Sequence, residues 1–124
     1  MLVDTDIVID YLRGVAEAVD FVERHIDQIA VSAITVGELY SGVRDGDEKV
    51  ALDDFVSAIN VLVVDQEIGK TAGIYRGEYR KSHQLGLADC LIAATASGNR
   101  LPLKTLNLKH FPMLADADVP YLKK

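Results

Sequence analysis

Apolar residues in this chain change their spacing several times, and each change predicts an element. Leu2 and Val3 are followed by Ile7, Val8, Ile9 and Leu12, so a buried strand is expected to run directly into a helix that Gly14 ends. Val15, Val19, Phe21, Val22 and Ile26 predict a second helix, and Ile29 to Val31 a short strand. Thr35 to Val43 predicts a third helix, closed near Gly42, and residues 48–58 a fourth through Val50, Leu52 and Phe55. Val61-Leu62-Val63-Val64 is a continuous run of the kind found in strands buried on both faces. A long amphipathic helix is expected from Glu67 to about Ser82, although Gly69, Gly73 and Gly77 interrupt it. Each glycine costs about 1 kcal/mol relative to alanine, which a smooth face for close helix packing would offset. Residues 88–97 predict a helix of small residues, Leu101-Pro102-Leu103 a strand, and Val119 to Leu122 a last strand, placed at an edge by Pro120. Strands alternating with helices imply an α/β fold with a mainly parallel central sheet.

Three acids stand where a strand hands over to a helix. They are Asp4 in Leu2-Val3-Asp4-Thr5-Asp6, Glu38 in Thr35-Val36-Gly37-Glu38, and Asp89 in Gly86-Leu87-Ala88-Asp89. The carboxyl ends of parallel strands line one crevice, so acids placed after separate strands converge there. Convergent carboxylates repel one another in a partly buried site, and a divalent cation is the usual remedy. Carboxylate oxygens are hard ligands that favour Mg²⁺ or Mn²⁺. Asp4, Glu38 and Asp89 are therefore the candidates to hold such an ion.

Each acid also has a purely structural reading. Asp4 and Asp6 both suit the N-cap of the first helix, Thr35 to Glu38 fits a capping box, and Asp89 in a first helical turn complements the dipole. Asp6 is read mainly as a cap. Asp4 is read as functional, because an unpaired charge at the end of a central strand is expensive.

The length, 124 residues, suits one domain over residues 1–124, and 49% hydrophobic residues suffice for a core. No basic and apolar leader precedes Asp4 and no apolar run reaches membrane-spanning length, so a cytosolic protein with no membrane partner is expected. The single cysteine, Cys90, is expected to be a buried, inert thiol. The net charge of −6 is uneven: residues 1–65 carry 4 Lys/Arg against 14 Asp/Glu, and residues 66–124 carry 9 against 5. That permits an acidic pocket beside a basic rim of Arg76, Arg80, Lys81, Lys104 and Lys109; Arg76, Arg80 and Lys81 equally suit the solvated face of a helix. Three scattered histidines and one cysteine give no zinc spacing, and neither a nucleophile elbow nor a P-loop is present. His25 and His83 read as surface residues, and His110 as packing and hydrogen bonding rather than a general base.

The combination of blocks resembles the PIN domain, and within it the toxin nucleases of VapC type. The blocks are Leu2 to Asp10, Thr35 to Gly42 (Thr-Val-Gly-Glu-Leu-Tyr-Ser-Gly), Gly86 to Ala96 (Gly-Leu-Ala-Asp-Cys-Leu-Ile-Ala-Ala-Thr-Ala), and Thr105-Leu106-Asn107-Leu108-Lys109-His110-Phe111, in the family's order. The resemblance implies a three-layer α/β/α fold and a metal-dependent endoribonuclease whose crevice holds Mg²⁺ or Mn²⁺ on Asp4, Glu38 and Asp89. It adds Asn107, where many PIN domains carry a fourth aspartate, and Thr105 as that position's hydroxyl neighbour. It implies RNA as substrate, products with 5′-phosphate and 3′-hydroxyl ends, a small VapB-like antitoxin as partner, and a homodimer. Two other readings compete: a catalytically silent PIN-like module that only binds RNA or protein, and a haloacid-dehalogenase-type phosphatase built on Asp4 and Asp6. The second leaves the blocks around Glu38 and Asn107 without a role.

Overall fold

The computed structural model describes residues 1–122. Four parallel strands, β1 (Leu2–Val3), β2 (Ala30–Ser32), β3 (Asn60–Leu62) and β4 (Leu103–Lys104), lie in the order β3-β2-β1-β4. Leu2 pairs with both Ala30 and Leu103, so the two-residue β1 is central. The chain builds the sheet outward from β1 through β2 to β3 and then returns to the other side of β1 for β4. The crevice where the order reverses therefore opens between the ends of β1 and β4.

Strand alternation sends neighbouring side chains to opposite faces. Val3 and Val31 join Ile7, Phe21, Leu39, Leu52 and Phe55 in one buried cluster, while Leu2 and Ala30 join Ile92, Ala93, Leu103 and Phe111 in another. The first face is covered by α1 (Thr5–Leu12), α2 (Ala16–His25), α3 (Ala33–Gly42) and α4 (Asp47–Ala58). The second is covered by α6 (Leu87–Gly98), with α5 (Gln66–Glu78) packed beside it through Ile68 and Ala72. These are the three layers expected. Cys90 is buried within α6, where its own burial and the charge of Asp89 push its thiol pKa up, as suits an inert thiol.

Helix starts are set by side chains at the strand ends. Asp4 caps α1 by accepting the Thr5 N–H at 2.7 Å, and Gly14, at φ +77°, closes the turn after it in the left-handed region that glycine tolerates. Ser32 caps α3 through the Ile34 N–H, and Asp65 caps α5 through the Ile68 N–H. The expected capping box at Thr35 is therefore not formed. The helix begins two residues earlier, and Thr35 lies fully buried inside it.

Four further expectations are corrected. The run at Val61 to Val64 is the edge strand: it ends at Leu62, Val61 and Leu62 are half-buried, and Val63 is 72% exposed. Among the described residues only its inner neighbour β2 pairs with it, so β-branched continuity reported strand propensity rather than burial. A Cβ added at Gly69, Gly73 or Gly77 would meet nothing within 4 Å, so the glycine face of α5 is not a helix-packing face. That helix ends at Glu78, short of Ser82. Val119 to Leu122 form no strand; the C-terminal segment meets the sheet through one parallel bridge, Lys104 to Asp118, and through Tyr121, whose hydroxyl donates to the buried Asp10 at 3.0 Å. Among the described residues no helix is long and apolar enough to cross a membrane.

Candidate active site

Asp4 is 6% exposed at the end of β1. Its carboxylate has two donors: the Thr5 N–H, and the Thr105 hydroxyl just beyond β4 at 2.7 Å. Thr105 in turn accepts the Asn107 N–H at 3.1 Å, so one hydroxyl both orders the loop and holds the acid. Burial raises the Asp4 pKa most, Asp6 adds to it, and Asp89 adds further; the two hydrogen bonds oppose them, and the result is about 7. A carboxylate at this place is costly even with every donor in position.

Glu38 reaches the same region from α3. The Thr5 hydroxyl lies 2.7 Å from Glu38 Oε1 and 3.0 Å from the Thr35 hydroxyl, which links the first turns of α1 and α3. Asp89, in the first turn of α6, lies on the rim with its side chain 26% exposed. Burial and the charge of Glu38 raise its pKa, while His110 lowers it. Asp89 thus shares a field with Glu38 and with Asp4, and three separate elements bring these carboxylates to one crevice.

Asp6 is not the helix cap. Its Oδ2 accepts the Leu106 N–H at 3.0 Å and so ties α1 to the strap after β4, while its buried Oδ1 has no hydrogen-bond partner among the described residues. This arrangement gives Asp6 a bracing contact rather than the free acid/base position that a phosphatase of the rival type requires.

His110 meets the site by hydrogen bonding, in keeping with its reading as a packing and hydrogen-bonding residue. Leu108–His110 form a single 3-10 turn that carries the ring back to Asp89, with Nδ1 3.1 Å from Oδ2. Its neighbour Phe111 points the other way and is buried in the core, so the two residues divide support and contact between them. The Asn107 amide nitrogen lies 3.2 Å from Nε2 of the same ring. The Asn107 amide nitrogen thus contacts the same ring that meets Asp89. The clue in the sequence was the spacing of Thr105, Asn107 and His110, which one tight turn gathers on one side. The two threonine hydroxyls that hold Asp4 and Glu38 had a weaker signal, since Thr5 is distinguished only by its place between two aspartates.

Among the described residues, no group of three His, Cys, Asp or Glu side chains is spaced to hold a metal ion as the rotamers lie. Each carboxylate is drawn onto its own donor: Thr105, Thr5 or His110. The expected basic rim is also reduced. Lys104 is committed to Asp118 at 2.7 Å, whereas Arg76, Arg80, Lys81 and Lys109 are exposed. His25 and His83 are half-buried rather than fully on the surface, His25 by its ring contact with Phe21 at 4.8 Å.

The sequence pattern described as the PIN domain matches residues 1–111. Ribonuclease VapC19 of Mycobacterium tuberculosis is 39% identical, with 97% of this chain and 98% of the relative covered. Ribonuclease VapC10 of the same organism is 37% identical, covering 98% of this chain and 92% of the relative. A toxin-antitoxin complex from Klebsiella pneumoniae contains a chain that superposes with a TM-score of 0.83 at 33% identity, over 97% of each chain. The chain belongs to the PIN-domain family, in its VapC branch.

Proposed function

We propose that this chain is the toxin of a toxin–antitoxin pair, a Mg²⁺- or Mn²⁺-dependent endoribonuclease whose site is Asp4, Glu38 and Asp89, with Asn107 alongside. The observation that carries the reading is the convergence of three carboxylates, from the end of β1, the second turn of α3 and the first turn of α6, on the switch-point crevice. It is supported by relatives at 37–39% identity that are named as ribonucleases.

The donor set fits a hard divalent cation. Every ligand atom offered is a carboxylate oxygen, and burial together with mutual repulsion raises the pKa of both Asp4 and Asp89. Asp4, Glu38 and Asp89 would hold the ion; an oxygen of each is engaged by a side chain, the Thr105 hydroxyl, the Thr5 hydroxyl and the His110 ring respectively. A bound ion supplies charge neutralisation at the phosphate and acidifies water. Glu38 accepts a proton from the attacking water, whose oxygen forms the new bond to phosphorus as the bond from phosphorus to the 3′-oxygen breaks. The departing oxygen takes a proton from solvent, leaving 5′-phosphate and 3′-hydroxyl ends. Asp89 and His110 fix the rim of the crevice, and Thr5 holds Glu38 in the resting site.

The toxin reading also names partners: a small VapB-like antitoxin that covers the crevice, and a second toxin copy in a homodimer. An antitoxin arginine on the three carboxylates supplies the charge that a cation otherwise provides, so high Mg²⁺ should weaken inhibition. Sequencing RNA ends after brief expression of the wild type beside Asp89→Asn tests the function. New 5′-phosphate ends are expected in the wild type only; equal ends in both strains would refute the assignment.

A further inference from the structure

The cations of this chain sort by what they touch. Arg24, Arg44, Lys49 and Lys104 each pair with a carboxylate. Arg76 and Arg80 pair with none among the described residues, and both line one open cavity of about 590 Å³ with His83, Gln84, Leu85 and Gly86. No carboxylate lines that cavity. Arg76 and Arg80 are one helical turn apart in sequence, at the end of α5 and just beyond it. The Arg76 Nε–H donates to the Leu85 carbonyl at 3.2 Å, which fixes the loop as a wall and leaves both terminal nitrogens for a ligand.

The cavity adjoins the acidic crevice. Gly86, part of its wall, is the N-cap of α6, and Asp89 follows three residues later. A polyanion approaching a chain of net charge −6 is repelled by the crevice itself, so an extended strand needs an anchor just outside it.

We propose that this cavity is a backbone-phosphate subsite for the RNA strand, in which the guanidinium groups of Arg76 and Arg80 grip a phosphate flanking the one cleaved at Asp4, Glu38 and Asp89. The inference rests on the nuclease reading. Two arginines present planar forks of donors that match phosphate oxygens, and the contact is blind to base identity.

Fluorescence anisotropy with a short labelled single-stranded RNA tests it, in the Asp89→Asn background so that binding is read without cleavage. Arg80→Glu should raise the Kd tenfold or more at low salt. Arg80→Gln should lower the slope of log affinity against log salt by about 0.7, the value for one lost phosphate contact on a single strand. Arg13→Glu makes the same charge change at the far end of α1 from Asp4, and should alter the Kd less than twofold. Equal losses from Arg80→Glu and Arg13→Glu, no change with either, or no binding to begin with would each overturn the subsite. A parallel cleavage assay of the Asp89 protein in Mn²⁺ separates the two failures. No cutting there is a failure of the nuclease reading, while cutting with an unchanged anisotropy curve for the Arg80 variants is a failure of the subsite alone.

Discussion

The acidic crevice and the arginine cavity lie on either side of the first turn of α6, and they hold their charges in opposite ways. In the crevice, Asp4 is buried at the end of the central strand, held by a backbone N–H and a threonine hydroxyl, and still pushed up to about 7. In the cavity, Arg76 and Arg80 are exposed, carry no carboxylate partner among the described residues, and keep most of their donors for a ligand. The crevice gathers like charge around a buried acid, which suits a cation and developing charge at a reacting phosphate. The cavity is solvated, which suits a contact that adds affinity without directing chemistry. The difference teaches that one buried carboxylate, Asp4, sets the reacting site apart, since Glu38 is exposed like the two arginines.

That contrast is broken most readily on the crevice side. Asp89→Asn should lower RNA cleavage by about three orders of magnitude or more, since it removes a charge that bears on the reacting phosphate. Its melting temperature without divalent cations should equal or exceed that of the wild type, because a repelling carboxylate is gone. Full activity in this variant would place the reacting site elsewhere.

The pH dependence of stability is the next largest effect. The Asp4 carboxyl is raised in the folded protein to about 7, so between pH 4 and 7 the folded state holds a proton that the unfolded state releases. Stability without divalent cations should therefore fall as pH rises across this window and level off above it, by on the order of 2–4 kcal/mol at about 1.4 kcal/mol per unit. Asp4→Asn should flatten the curve, measured by urea denaturation at a series of pH values. A wild type whose stability climbs from pH 4 to 7 would contradict the raised pKa of Asp4.

Thr105→Val sharpens the point by removing the hydroxyl that Asp4 and the Asn107 N–H share. A loss of about 2 kcal/mol is expected above pH 7, where the acid is charged, with a smaller loss near pH 5. A pH-independent loss would make Thr105 a packing residue only. Asn107→Asp is the mildest change. It restores a fourth charge, but against the His110 ring, so Mn²⁺ binding should tighten by only about threefold; a change of a hundredfold would place residue 107 directly on the ion.

Much of this arrangement was legible in the sequence because it rests on local signals. Leu2-Val3 followed at once by Asp4 announced a strand ending in a capped helix, and the block around Asp89 announced a first-turn acid on a small-residue helix. What escaped depended on neighbours distant in sequence. The Val61 to Val64 run has the same composition whether a strand is flanked on one side or two, so its place at the edge was invisible. The glycines of α5 suggested close packing, yet no element comes near them. Thr35 and Glu38 matched a capping box by spacing, but Ser32 took the cap and released Glu38 toward Thr5. The site contact of His110 was hidden because its partner, Asp89, comes from another block and meets it only through the tight turn after Asn107.

Equilibrium dialysis of Mn²⁺ against the wild type and the single variants Asp4→Asn, Glu38→Gln and Asp89→Asn tests the central claim, that three carboxylates from separate elements form one cation site. The wild type should bind, and each variant should lose at least tenfold in affinity, because each removes one charge from a shared site. Binding left intact by any one of the three substitutions, or a wild type that binds no Mn²⁺, would contradict it.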